Sequence, residues 1–179
     1  VTAGTDAAAK PLRLFFALWP DDATRRALTE WCRRIHEVAG GRPTRAEAIH
    51  QTLAFLGDCQ PARVPEVEAA AGRVQPRSFE LVLDRTGLWQ HNRIAWAGTA
   101  AMPPALDALV AELRAALANA RVAFDAKPFA LHITLVRKAR PGAALPPLEP
   151  IRWRVTDFVL VRSVLRAGGS EYAIQRRWG

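Results

Sequence analysis

The spacing of apolar and polar positions changes along this chain, and each change marks an element. Arg13 to Trp19 (RLFFALW) is a compact apolar run that reads as a strand, and Pro20 ends it. Asp21 or Asp22 can then cap a helix, because a carboxylate satisfies a free N–H of the first turn. Leu28, Trp31, Cys32, Ile35 and Val38 recur at helical spacing until Gly40 and Gly41 stop the helix. Ala48 to Leu56 is the next strand, closed by Gly57-Asp58, and Val64, Val67, Ala71 and Val74 mark a second helix. Phe79 to Leu83 and Ile94 to Trp96 read as two strands of an antiparallel hairpin, with Gly87 and Gln90-His91-Asn92 between them. Pro103-Pro104 opens a third helix with the clearest stripe in the chain: Leu106, Leu109, Val110, Leu113 and Leu117. Phe129 to Val136 is a further strand. The four prolines of Pro141 to Pro150 demand a loop. Trp153 to Leu165 and Tyr172 to Arg177 form a last antiparallel pair, turning at Gly168-Gly169-Ser170.

This order predicts an α+β fold with a large antiparallel share. At 179 residues the chain can build one substantial core, or two small lobes sharing one. Residues 1–10, rich in Ala and Thr and without an apolar signal core, read as a flexible N-terminal tail, leaving residues 11–179 as a single two-lobed domain. No apolar run is long enough to span a bilayer. With no export signal, a cytoplasmic protein with reduced Cys32 and Cys59 is expected, and a monomer is the default.

The formal charge of +8 and a pI near 10.9 favour polyanionic partners, nucleic acid included. Only Lys10, Lys127 and Lys138 are lysines, however, and an arginine- and alanine-rich composition also follows from a GC-rich genome. Charge alone leaves both readings open.

The chemistry comes from one phrase written twice. Ile49-His50-Gln51-Thr52-Leu53 and Leu131-His132-Ile133-Thr134-Leu135 each hold a histidine and a threonine two residues apart in an apolar frame. On a strand, positions i and i+2 share a face, so each pair projects together while Gln51 and Ile133 point away. An imidazole exchanges protons near neutrality, and two of them flanking one phosphorus can divide the giving and taking of a proton. Threonine hydroxyls can donate to the non-bridging oxygens, where charge builds in the transition state. Arg137, at the end of the second strand, can pair with a phosphate or stack on a base. Lys138 and Arg140 read as a solvated strand end.

Other chemistries lack their parts. A metal site needs third and fourth ligands, but His36 reads as exposed on a helix and His91 lies in the expected turn, neither beside a carboxylate at ligand spacing. There is no nucleophile elbow, no P-loop and no dinucleotide glycine pattern. Trp89 and Trp96 read as core. Phe15 and Phe16 point to opposite faces of their strand, one to the core and the other free to reach a cleft.

At these residues the chain resembles the two-histidine phosphoesterase superfamily, and within it the bacterial RNA 2′,3′-cyclic phosphodiesterase group, also called LigT-like or 2′-5′ RNA ligase. The resemblance runs over nearly the whole chain from Arg13. It rests on Arg13 to Leu18, on Ile49 to Gly57 (IHQTLAFLG), on the G-x-W and W-x-G elements of Gly87 to Gly98, and on Pro128 to Arg137 (PFALHITLVR), with Tyr172 also fitting. Gln51 stands where the family is usually apolar, and Leu131 where proline is common. The resemblance implies a bilobal fold in which two antiparallel sheets face a central cleft, with helices packed outside. It implies hydrolysis of RNA ends bearing a 2′,3′-cyclic phosphate to a 2′-phosphomonoester, without metal or other cofactor; tRNA fragments, short oligonucleotides and cyclic mononucleotides all stay open as the physiological substrate. His50 and His132 are then catalytic, Thr52 and Thr134 phosphate-binding, and Arg137 and Phe16 substrate- or nucleobase-binding. His132 is assigned as the base and His50 as the acid, an order the sequence leaves exchangeable. Two alternatives accompany this reading: 2′-5′ ligation of tRNA halves by the reverse chemistry, and a non-catalytic binder of RNA ends.

Overall fold

A computed structural model describes residues 10–75, 77–167 and 169–179 of the chain. The expected tail, apart from Lys10, and Gly168 of the expected last turn lie outside the described residues. The fold is α+β: among the described residues there are three α-helices and ten strands, each strand paired antiparallel to its neighbour.

β1 (Leu12–Leu18) is apolar on both faces because both are covered. Leu14, Phe16 and Leu18 face the main core with the helices, whereas Phe15 and Ala17 join Val159 and Val161 in a second, smaller cluster on the opposite face. α1 (Asp22–Ala39) starts at Asp21, whose carboxylate accepts the Thr24 N–H at 2.7 Å. It buries Leu28, Trp31, Cys32, Ile35 and Ala39. Val38, expected in that stripe, is exposed. It lies at the stripe's edge, and Ala39, one full turn beyond Ile35, takes the inward place. Gly40 ends the helix at φ +60°, a left-handed backbone that suits glycine.

β2 (Arg42–Pro43) and a 3₁₀ turn (Ala46–Ala48) precede β3 (Gln51–Cys59), so the strand begins after His50 rather than at Ala48 and runs on through Gly57. α2 (Val64–Ala71) is short, and Val74 is buried just beyond it. β4 (Phe79–Leu83) does not form the expected hairpin. An additional strand, β5 (Arg85–Trp89), takes its place beside β6 (Ile94–Gly98). α3 (Pro104–Asn119) buries all five residues of its stripe. β7 (Ile133–Arg137) is shorter than expected. The segment read as one strand from Trp153 is in fact two, β8 (Ile151–Val155) and β9 (Phe158–Arg166), followed by β10 (Gly169–Trp178).

The strands run in the order β10-β9-β1-β3-β7-β6-β5, with β2 on β7, while β4 pairs with β8 apart from this path. The expected pair of sheets is therefore one hydrogen-bonded path made of two four-stranded halves. They join at a single residue pair, Gln51 opposite Ile133. α1 packs on β7 and β8, and α2 on α3. Among the described residues no helix is long and apolar enough to cross a membrane.

Candidate active site

The junction of the two halves is where the repeated motif sits. Gln51 and Ile133 are fully buried on the core face. Antiparallel pairing at that point sets His50 across from Thr134 and Thr52 across from His132, all four on the opposite face. Both histidines and both threonines line one cavity of about 580 Å³. Gln51 donates its amide N–H to the Thr52 carbonyl at 2.8 Å, and its Oε1 is buried without a partner.

Each histidine precedes its strand, and each is held in the same way. His50 Nδ1 lies 2.8 Å from the Ala48 carbonyl, and His132 Nδ1 lies 2.9 Å from that of Ala130. A carbonyl only accepts, so Nδ1 carries the hydrogen in both rings and Nε2 is left as the atom that takes or gives a proton.

Around the rings the halves differ. His50 packs against Phe15 (4.8 Å between centroids), stacks on Trp19 (5.6 Å, 11°) and meets the edge of Tyr172 (5.1 Å). Burial among these aromatics holds its pKa down to about 4, against the ordinary 6.5. The Ala48 hydrogen bond opposes the shift, and the charges of Arg137 and His132 add to it. Among the described residues Trp89 is the one aromatic ring against His132 (4.8 Å). Trp89 and Trp96, 5.7 Å apart, are thus not plain core: they are half-buried and form a platform under His132. Gly87 makes that platform possible, since a Cβ there would stand 2.2 Å from the Trp96 ring.

Arg137 lines the same cavity and is exposed, as its proposed contact with substrate requires. Phe16 does not. It is fully buried on the helix-covered face against Phe158 and Trp178, and the aromatic on the cleft face is Phe15. Alternation along β1 carried that answer: Leu14, Phe16 and Leu18 form the bulkier apolar set, and that set turns to the main core. Sequence reading also missed Trp19, Arg13, Arg42, Arg45 and Arg166. The four arginines line the cavity with Arg137, and among the described residues no carboxylate does. Arg13 and Arg42 lie on strands paired with a motif strand and Arg45 lies just before β3, whereas Arg166, at the end of β9, reaches the cavity from a strand that pairs with neither motif strand.

Cys32 and Cys59 are free thiols. Burial pushes Cys32 up to about 12 and Cys59 up as well, so both are poor nucleophiles. Among the described residues, no three His, Cys, Asp or Glu side chains are grouped to hold a metal ion.

An α+β scaffold here brings two His-x-Thr pairs into one arginine-lined cavity, the arrangement of a two-histidine phosphoesterase. Comparisons with known proteins place the chain in a family. The model of the LigT like Phosphoesterase family matches residues 18–96. The RNA 2′,3′-cyclic phosphodiesterase of Escherichia coli strain K12 is 33% identical over 94% of this chain and 97% of its own length. The protein of the same name from Thermus thermophilus is 31% identical over 93% of this chain and 89% of its own length. The crystal structure of E. coli LigT complexed with 3′-AMP superposes with a TM-score of 0.86 at 33% identity, covering 94% of this chain and 98% of that one. The chain belongs to the LigT-like phosphoesterase family.

Proposed function

We propose that this chain is an RNA 2′,3′-cyclic phosphodiesterase that opens a terminal cyclic phosphate to a 2′-phosphomonoester. The observation that carries the proposal is the placement of His50, Thr52, His132 and Thr134 on one face of the β3–β7 junction, in a cavity lined by arginine and, among the described residues, free of carboxylate. His132 Nε2 takes a proton from water as the water oxygen bonds to phosphorus. The P–O3′ bond breaks, and His50 Nε2 gives its proton to the departing O3′. Thr52, Thr134 and Arg137 hold the non-bridging oxygens. Phe15 supports His50 from below rather than receiving the base.

Burial and the charges of Arg137 and His132 favour the neutral form of His50. A bound phosphate adds a negative charge beside the ring, which favours the imidazolium that the acid role needs. Substrate binding is therefore coupled to proton uptake.

The test is incubation of the protein with adenosine 2′,3′-cyclic phosphate in EDTA, with the product isomer identified chromatographically. Adenosine 2′-monophosphate is expected, with a loss of at least about 100-fold in both His50→Ala and His132→Ala. Turnover that persists in either variant, or a 3′-monophosphate product, refutes the proposal.

A further inference from the structure

The cavity carries more positive charge than a cyclic phosphate can use. Arg45 is paired with Glu47 and donates to the Ser170 carbonyl, and Arg166 is paired with Glu171. Arg13, Arg42 and Arg137 have no carboxylate within ion-pair distance among the described residues. Two of these three have matched places. Arg137 stands three residues after Thr134, and Phe55 stands three after Thr52. The Arg13 guanidinium lies 4.7 Å over the Phe55 ring, so each half brings one guanidinium to the cleft.

Arg42 has no such counterpart. It is the first residue of β2 and lies directly across from Arg137 in the antiparallel register. Like charges facing each other across paired strands repel, yet the backbone is built to bring these two together. Gly41 sits at φ +83°, and a Cβ there would stand 2.5 Å from the Arg137 carbonyl oxygen, so only glycine lets β2 approach. The Thr44 N–H donates to the Leu135 carbonyl at 2.8 Å and the Arg140 N–H to that of Ala39 at 2.7 Å, which fastens the segment on either side. Two arginines that the backbone holds opposite each other, neither with a carboxylate partner among the described residues, suit an anion.

Building on the proposed activity, we infer that Arg42, opposite Arg137, binds a second phosphate of the substrate, on the 5′ side of the ribose that bears the cyclic phosphate. The ring nitrogens, the two hydroxyls and Arg137 already address the single charge of the cyclic diester. Arg13, over Phe55, is the match of Arg137 in the other half; Arg42 stands beyond that pair and answers a further charge, and a cavity of about 580 Å³ has room for a nucleotide with an additional phosphate. Arg42 is thus a specificity residue that distinguishes a phosphorylated or chain-linked nucleotide from a bare nucleoside cyclic phosphate.

Three substrates separate the terms: adenosine 2′,3′-cyclic phosphate, its 5′-phosphorylated form, and the dinucleotide ApA ending in a 2′,3′-cyclic phosphate. Wild-type kcat/KM is expected to be about tenfold higher for the second or third than for the first, and Arg42→Ala is expected to abolish most of that ratio. Arg42→Lys, which keeps the charge but loses the fork, should fall between. An advantage for the dinucleotide alone identifies the internal phosphodiester as the group bound, and an advantage for both identifies any 5′ phosphate. Equal wild-type rates, or a ratio that survives in Arg42→Ala, overturn the inference. Binding of a fluorescent trinucleotide ending in a 2′-phosphate needs no turnover. Its affinity should fall less steeply with salt in Arg42→Ala, the log–log slope shrinking by about 0.7, and an unchanged slope overturns the inference even if no cyclic phosphate is hydrolysed. Absence of all three hydrolyses in the wild type would instead strike the proposed activity.

Discussion

The strongest physical anomaly in the site is the pKa of His50, and it makes a prediction that needs no substrate. Folding moves this ring from the ordinary 6.5 to about 4, chiefly by burying it among Phe15, Trp19 and Tyr172. Between those two values the unfolded chain holds a proton that the folded chain refuses. Stability from this group is therefore complete above about pH 6.5 and declines as the pH falls toward 4. Below 4 both states are protonated and the loss levels off. The full shift corresponds to about 3 kcal/mol, a ceiling because the ring keeps an edge to the water of the cleft. Urea unfolding followed by tryptophan fluorescence, at fixed ionic strength from pH 7.5 to pH 4, measures it against His50→Gln, which cannot titrate. The wild type should lose up to about 3 kcal/mol more than the variant across that window, with a slope no steeper than about 1.4 kcal/mol per pH unit. Parallel curves would refute the burial argument. The same ring, followed by NMR, should titrate at higher pH once adenosine 2′-monophosphate is bound. If it stays neutral at pH 7 with ligand in place, His50 is the base and the two roles exchange.

Two further predictions concern the supports of the rings. Gly87→Ala places a methyl group 2.2 Å from Trp96, so the Trp96–Trp89 platform must shift. A stability loss of about 1–3 kcal/mol in denaturant melts is expected, with kcat falling more than KM because His132 loses its seat; a fall in KM-controlled binding alone would contradict this. Phe15 and Phe16 should separate cleanly: Phe16→Ala costs about 3–5 kcal/mol of stability while the folded fraction keeps its kcat, whereas Phe15→Ala raises the His50 pKa and lowers kcat. The reverse pattern, read from melts and an NMR titration, would restore Phe16 to the cleft.

Legibility in the sequence followed the range of the interaction. The α3 stripe was fully legible because five buried residues at helical spacing need only local geometry. The site was legible for a different reason: a period of two places His50 with Thr52 and His132 with Thr134 whatever the strands pair with. Pairing itself was not legible. The segment from Phe79 to Gly98 has the marks of one hairpin, yet β4 finds its partner in β8, far along the chain, and β5 fills the gap. Nothing local distinguishes these partners. Gly87 looked like a turn signal but sits within β5, because a ring from the neighbouring strand occupies the space a side chain would need. Arg42 was invisible for the same reason: its significance lies in the residue across from it, and a single sequence does not say which residue that is.

The two copies of the motif are alike in backbone and unlike in surroundings, and the difference matters more than the likeness. Each histidine donates through Nδ1 to the carbonyl two residues before it, so both present Nε2 by one local device. A symmetric pair could share one proton either way, so neither ring would have a fixed duty. The flanking strands break the tie. β1 and β10 close aromatic rings around His50, whereas the β5–β6 hairpin gives His132 a single platform. Three residues past each threonine, one half carries Phe55 and the other Arg137. Environments that drive two titratable groups apart are how a pair acquires distinct acid and base duties. The scaffold thus repeats the geometry that brings two imidazoles to one cavity, and on the proposed activity it is their unlike neighbours that assign which ring gives a proton and which takes it.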